Sequence, residues 1–168
     1  TRDSGEDVGN YAITQGTLSL SADYTLTYVG DTFAITARPI TVTAQHDSKT
    51  YDNSTSSAVS PVITSGTLAF SDTAGFSQTF DTKHVGTLKT LTASGIVNDG
   101  NGGANYAVTF VADTTGIISL RLVTVTADAG QTKVYGDGDP LVFTYSITSG
   151  SLALGDSFGG LLTRDSGE

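Results

Sequence analysis

The chain repeats itself, and this repetition constrains its fold more than any other feature. The opening hexapeptide, Thr1-Arg2-Asp3-Ser4-Gly5-Glu6, returns unchanged at residues 163–168. A shorter period of about 83 residues is nested inside this long one. Repeats of this kind form one structural module each and stack along the chain. The sequence therefore predicts an array of small modules rather than one large domain.

The shorter period divides the chain into two alternating unit types of about 81 residues each. The segments that match one another are 22–29 with 104–111, 38–44 with 121–127, 49–52 with 133–136, and 64–70 with 148–154. One complete unit is predicted at residues 39–120. Residues 1–38 are expected to be the back of the other unit type, and residues 121–168 the front of its next copy.

Strand patterning dominates each unit. Ile40, Val42 and Ala44 alternate with two threonines, which predicts a half-buried strand, and residues 123–127 repeat the pattern. Similar alternation predicts strands at residues 24–29, 106–111 and 141–147. Glycine-rich and asparagine-rich turns separate these segments. We therefore expect an all-β chain of tandem small β-sandwich, immunoglobulin-like repeats, with β-grasp-like repeats as the alternative.

Composition excludes several classes of function. The formal net charge of −9, with only 8 Lys and Arg residues, argues against nucleic-acid binding. No apolar run is long enough for a membrane-spanning helix, so no membrane insertion is expected. Cysteine is absent, which excludes disulfides and thiolate metal sites, and methionine is absent too. Both absences suit an extracellular protein that crosses membranes unfolded.

The middle unit resembles a YDG domain, a repeat family of bacterial filamentous adhesins. The resemblance rests on four motifs in order: Ile40-Thr41-Val42-Thr43-Ala44, Lys49-Thr50-Tyr51-Asp52-Asn53, His84-Val85-Gly86-Thr87 and Ala104-Asn105-Tyr106. The tripeptide that names the family reads Tyr51-Asp52-Asn53 here. Because asparagine also adopts the left-handed conformation, the turn is expected to survive the replacement of glycine.

The flanking units resemble an MBG domain of the same adhesins. The C-terminal unit carries Val123-Thr124-Val125-Thr126-Ala127, Lys133-Val134-Tyr135-Gly136-Asp137 and Asp139-Pro140, and the N-terminal unit carries Val8-Gly9-Asn10-Tyr11 and Asp23-Tyr24-Thr25-Leu26. The two resemblances imply a repeat in the stalk of a secreted or surface-attached bacterial adhesin. They imply no catalytic residue.

Candidate catalytic residues are few. The two histidines, His46 and His84, lie in predicted loops or strand ends, and neither has a nucleophile or metal motif nearby. Tyr51 and Tyr135 occupy one position of the two unit types; we expect each ring to pack in a core with its hydroxyl at the rim. No catalytic or cofactor-binding residue is predicted, and an enzyme is not expected.

Two turns that contain Asp and Asn residues are the parts of the sequence that most resemble a metal site. Asp137 and Asp139 lie in one Gly-rich turn, and Asp99 and Asn101 lie in another. Calcium binds carboxylate and amide oxygens of such loops, but neither turn has the ligand spacing of a known calcium loop. Asp and Asn are also ordinary turn formers. We expect no cofactor, with calcium as the alternative ligand.

The expected function is mechanical: a non-catalytic repeat of the stalk or fibre of a secreted bacterial adhesin or extracellular matrix protein, located outside the cell or on the bacterial cell surface. The alternative is a ligand-binding module for glycans or calcium. The expected partners are neighbouring repeats of the same protein. Residues 1–38 of one copy are predicted to complete residues 121–168 of another, head to tail.

Overall fold

The computed structural model describes residues 1–165, and this part of the chain contains strands and no helix. Ser166, Gly167 and Glu168, the last half of the closing hexapeptide, lie outside the described residues. The strands are β1 Gly9–Ala12, β2 Thr32–Ile35, β3 Arg38–Thr43, β4 Ser48–Thr50, β5 Val62–Ser65, β6 Thr73–Phe80, β7 Gly86–Asn98, β8 Tyr106–Val111, β9 Asp113–Ser119, β10 Val123–Ala127 and β11 Tyr145–Gly150.

Strands β3 to β9 form the middle unit from two sheets. The first sheet has the order β5-β3-β8, and the second has the order β4-β9-β7-β6. The chain passes from the first sheet to the second three times, between β3 and β4, between β5 and β6, and between β8 and β9. The first and the last of these crossing segments lie side by side, because β3 pairs with β8 and β4 pairs with β9, both in parallel. Strands from the start of the unit are thus joined to strands from its end.

The core of the middle unit lies between its two sheets. Ile40, Val42 and Ala44 of the β3 segment are almost fully buried, as the alternation with threonine predicted. They pack in one cluster with residues of the second sheet, including Leu91 and Ile118. The prediction of an all-β chain is therefore confirmed, with sheets in a sandwich-like arrangement. The two parallel strand pairs were not part of that prediction.

A buried glutamine satisfies the backbone where the chain crosses between the sheets. The Gln78 side chain, only 2% exposed, accepts a hydrogen bond from the Gln45 N–H at 2.7 Å and donates one to the Gln45 carbonyl at 2.8 Å. Leaving these groups unpaired inside the protein would cost about 1–3 kcal/mol each. The crossing after β3 is therefore held by a side chain of β6.

The flanking units are two-stranded. β1 pairs with β2, and β10 pairs with β11, both antiparallel, and no strand pairing joins these two small sheets within residues 1–165. Two-stranded sheets have little stability of their own in water. Many of their large apolar side chains are exposed, among them Leu18, Leu141 and Leu154.

Two strand predictions need correction. Residues 24–29 form no strand, although they match β8, because no strand lies beside them as β3 lies beside β8. The strand expected at residues 141–147 begins only at Tyr145, where pairing with Ala127 of β10 starts. In both places the side-chain pattern is present but the pairing partner is not.

Gly66 provides a test of how tightly β3 and the end of β5 approach. Its φ is +76°, and an added Cβ would lie 2.5 Å from the Pro39 carbonyl oxygen. Gly100 has nearly the same φ, +78°, but open space around it. Gly100→Ala should cost about 1–2 kcal/mol, the strain of a left-handed alanine. Gly66→Ala should cost clearly more, since the backbone must also move.

The measurement is urea unfolding of both variants and the parent, followed by far-UV circular dichroism. Equal losses in the two variants would show that the approach of Gly66 to Pro39 is looser than described.

Candidate functional sites at the junctions between units

The junction between the N-terminal and middle units depends on Asn105. Its backbone carbonyl accepts the N–H of Arg38, at the start of β3, at 2.8 Å. Its side-chain Oδ1 accepts the N–H of Val8 at 2.8 Å, and its Nδ2 donates to a carboxylate oxygen of Asp7 at 2.8 Å. One half-buried side chain thus binds both the backbone and a side chain of the neighbouring unit.

The turn that carries Asn105 is organised by Asp99. Its carboxylate accepts the backbone N–H groups of Asn101 and Gly103 at 2.8 Å and of Asn105 at 3.0 Å. Partial burial opposes ionisation, but these three bonds outweigh it and hold the pKa of Asp99 below its usual value. The structure places both Asp99 and Asn101 in this turn, where they position Asn105.

A cavity of about 350 Å³ lies at this junction. At its wall, the Tyr106 hydroxyl accepts the N–H of Ala69 at 2.7 Å and donates to Asp72 at 2.6 Å. Burial, together with the Asp72 carboxylate, raises the pKa of Tyr106. The hydroxyl therefore stays protonated and holds the loop after β5 against β8. Its role in the described structure is packing.

The junction between the middle and C-terminal units depends on Arg121 and Asn53. The Arg121 guanidinium donates to the backbone and side-chain oxygens of Ser151, at 2.5 and 2.7 Å, and to the Tyr51 carbonyl at 3.4 Å. Asn53 donates from Nδ2 to the Leu154 carbonyl at 2.8 Å. The side chains therefore link the turn after β4 to the loop after β11.

Asn53 stands where the tripeptide that names the YDG family has glycine, and it adopts a conformation that favours glycine. Its φ is +64°, in the left-handed region, as expected from the sequence. Asparagine adds a carboxamide that glycine lacks, and this group makes the bond to Leu154. The sequence predicted the turn but not its contact with the next unit. The one feature of the sequence that could have indicated this contact is an asparagine at a position that suits glycine.

The two matching tyrosines have different surroundings. The Tyr51 ring packs against the core of the middle unit, and its hydroxyl lies 3.4 Å from a carboxylate oxygen of Asp156 in the next unit. Burial and the Asp156 carboxylate raise the pKa of Tyr51. Tyr135 is 93% exposed, so the prediction of core packing is wrong for this residue.

Lys49 stabilises the turn after β4 through hydrogen bonds from its ammonium group. Its ammonium group donates to Asp52 at 2.8 Å and to the carbonyls of Ser54 and Ser56 at 2.8 and 2.9 Å. The hydrogen bond from Lys49 is the main reason why the pKa of Asp52 falls from 3.8 to about 2. Loss of solvation opposes the fall, and bonds from the backbone and side chain of Ser54 add to it.

The remaining candidates lie in three different loops. Asp139 pairs with Lys133 at 3.2 Å and with Arg164 at 2.8 Å; these bonds, Arg164 first, lower the pKa of Asp139. Asp137 lies beside it in a turn closed by its N–H to the Val134 carbonyl, at 3.1 Å. His46 lies between β3 and β4, 3.0 Å from the Thr115 hydroxyl, and His84 lies in the bend between β6 and β7. Within residues 1–165, no three His, Cys, Asp or Glu side chains converge as a metal site would require.

Comparison with protein families confirms the resemblance. Residues 36–116 match the family model of the YDG domain, and residues 1–34 match that of the MBG domain (YGX type). The chain matches none of the curated proteins and none of the solved structures with which it was compared. No helix of the described residues is long and apolar enough to cross a membrane.

Removing the Asn105 side chain should loosen the first junction. Asn105→Ala deletes the bond to the Val8 N–H, worth about 0.5–1.5 kcal/mol, and the bond to the Asp7 carboxylate, worth about 1.5–3 kcal/mol. We expect the amides of residues 1–35 to tumble partly independently of the middle unit in ¹⁵N NMR relaxation. Asn98→Ala, which removes the same group at the end of β7, should leave the tumbling unchanged. Unchanged tumbling in Asn105→Ala would contradict the assignment.

The pKa of Asp52 predicts a defined acid dependence. Because the folded pKa is lowered, its ionised form stabilises the fold above pH 3.8, and this contribution is lost as the pH falls towards 2. The stability lost in Asp52→Asn should therefore be constant near neutral pH and shrink between about pH 4 and 2. Its size is on the order of 1 kcal/mol or less, because Asp52 is largely solvated.

Urea midpoints at pH 7, 4 and 2.5 measure this difference. Asp3→Asn, which removes the same charge from the N-terminal unit, serves as the control. A difference that is as large at pH 2.5 as at pH 7 would mean that the Lys49–Asp52 bond does not lower the pKa of Asp52.

Proposed function

We propose, for a chain that carries a YDG domain at residues 36–116 and an MBG match at residues 1–34, a mechanical function without catalysis. The chain is a structural repeat in the stalk or fibre of a secreted bacterial adhesin or extracellular matrix protein. It acts outside the cell or on the bacterial cell surface. Its partners are the neighbouring repeats of the same protein.

The observation that carries this proposal is the construction of the two junctions. Only Thr36 and Ala37 separate β2 from β3, and only residues 120–122 separate β9 from β10. Connections this short leave no flexible linker to absorb bending. Side-chain bonds from Asn105 on one side, and from Arg121 and Asn53 on the other, add to this restraint. A stalk needs this kind of coupling between units.

The two junctions lie at opposite ends of the middle unit. Asn105 and Arg38 lie where β3 and β8 begin, whereas Tyr51 and Ser119 lie where β4 and β9 end. The chain therefore enters the middle unit at the start of one parallel strand pair and leaves it at the end of the other. Units joined in this way extend along one direction rather than folding back.

Composition supports an extracellular location. A chain without cysteine can cross membranes unfolded without forming a disulfide, and a chain without methionine has lost one oxidisable side chain. The net charge of −9 favours solubility and repulsion between neighbouring stalks.

Small-angle X-ray scattering on a longer array tests the proposal. Appending residues 7–168 to the end of the chain shares the hexapeptide and keeps the order of units. We expect the maximum dimension to double, about in proportion to length, while the cross-section stays constant. A compact profile for the longer array would overturn the stalk.

The same samples with calcium chloride and with EGTA test the rival ligand-binding function. If the elongated scattering profile and the melting temperature are the same with and without calcium, the result supports a stalk that needs no metal. A rod that forms only with calcium would instead favour the calcium-binding module.

A further inference from the structure

The C-terminal unit repeats the pairing of β3 with β5 in its own two strands, β10 and β11. In β3 and β5, Thr41 pairs with Ser65 and Val42 with Ile63, across a bulge. β10 and β11 have the same bulge at the matching residues, where Thr124 pairs with Ser149 and Val125 with Ile147. A threonine pair crosses each sheet at the matching place: Thr43–Thr64 at 2.8 Å and Thr126–Thr148 at 2.9 Å.

The N-terminal unit repeats part of the second half. In the middle unit Gly86 of β7 pairs with Ile118 of β9. In the N-terminal unit Gly9 of β1 pairs with Ile35 of β2, and these are the matching residues of the repeat. The two flanking units are therefore complementary halves of the same architecture.

Each half lacks the parallel strand pair that joins the halves in the middle unit. There, β3 pairs on its second edge with β8, and β4 pairs with β9. In the flanking units, residues 24–29 match β8 and residues 132–134 match β4, and neither segment forms a strand. The matching edges of β10 and β2 have no strand beside them in the described chain.

Exposure of matching side chains shows what the missing pairs would bury. Val42 of β3 is 0% exposed, whereas its match Val125 in β10 is 37% exposed. Tyr106 of β8 is 7% exposed, whereas its match Tyr24 is 69% exposed. An unpaired strand edge with exposed apolar side chains is a template for pairing with another chain.

The two halves cannot meet within one copy, because the middle unit separates them. The N-terminal unit is bound at Asn105, where β3 and β8 begin, and the C-terminal unit is bound at Tyr51 and Asn53, where β4 ends. Within the described residues, neither half therefore supplies the strand that the other half lacks.

We propose that residues 24–29 of one copy add as a parallel strand to β10 of a second copy. The register follows from β3 and β8: Tyr24 lies opposite Arg121, Leu26 opposite Val123, and Tyr28 opposite Val125. Residues 132–134 of the second copy pair in parallel with β2 of the first, with Lys133 opposite Ile35.

This contact joins different surfaces of the two copies, so copies add head to tail. The contact deepens the proposed function by naming the partner of the repeat, and it rests on the chain being a repeat of that stalk. Tyr24 gains a defined site: its hydroxyl would reach Ala153 and Asp156, the matches of Ala69 and Asp72 that bind Tyr106.

Cysteine crosslinking tests the register, because the chain has no cysteine of its own. The proposal places Thr27 of one copy directly opposite Thr124 of another, at about 4.8 Å between Cα atoms, within the range for a disulfide. Thr25 lies two residues out of register, at about 8 Å, beyond that range. Differently tagged T27C and T124C chains are mixed and oxidised, with T25C and T124C as the matched control.

We expect the T27C–T124C heterodimer to form several-fold faster than the control pair. A chain that carries both T27C and T124C should give a ladder of multimers. Equal rates in the two mixtures, or an intramolecular disulfide in the doubly substituted chain, would overturn the proposal.

Sedimentation equilibrium provides the second measurement. Leu26→Asp places a charge opposite Val123 in the new pair and should weaken association at least about tenfold. Leu20→Asp changes a similarly exposed leucine outside the paired segment and should leave association unchanged. Far-UV circular dichroism confirms that both variants keep the middle unit folded.

A parent chain that stays monomeric at millimolar concentration would overturn the pairing between copies. This result would leave the scattering test of the covalent array unaffected, so failure here is distinguishable from failure of the stalk.

Discussion

The parallel pairing of β3 with β8 is the constraint on which the rest of the structure depends. It joins the first strand of the unit to one from near its end, and the β4–β9 pair extends the connection into the second sheet. The core forms between the two sheets that these pairs hold in place. In the described residues, the flanking units contain no such parallel pair, and each has a single two-stranded sheet.

Residues that shape turns also connect the units. Asp99 closes a turn with three backbone bonds, and that turn presents the Asn105 carboxamide to the N-terminal unit. Asn53 adopts a left-handed turn and binds the Leu154 carbonyl of the following unit. Because these side chains leave from rigid turns, little conformational entropy is lost when they bind the neighbouring unit. Side chains that shape the turns of the middle unit therefore also bind it to the units on either side.

The candidate sites were only partly predictable. Asp99 and Asn101 were recognised as turn residues, and Asn53 as a left-handed substitute for glycine. Their contacts with Val8, Asp7 and Leu154 were not predictable, since these partners lie far away in sequence and are met only through the strand order of the middle unit. For Arg121, the sequence showed only that it matches Arg38 in the repeat and did not predict its bonds to Ser151 and Tyr51.

The sequence by itself determined the repeats, the all-β class and the buried face of β3, because alternation with period two is set by the pleat of a single strand. The tertiary structure alone decided which strands pair and in which direction. Residues 24–29 and β8 share one pattern, yet only β8 is a strand, and Tyr51 is packed where Tyr135 is exposed. The physical reason is that a strand is stabilised by its neighbour, and a side-chain pattern specifies a face without specifying what lies beside it.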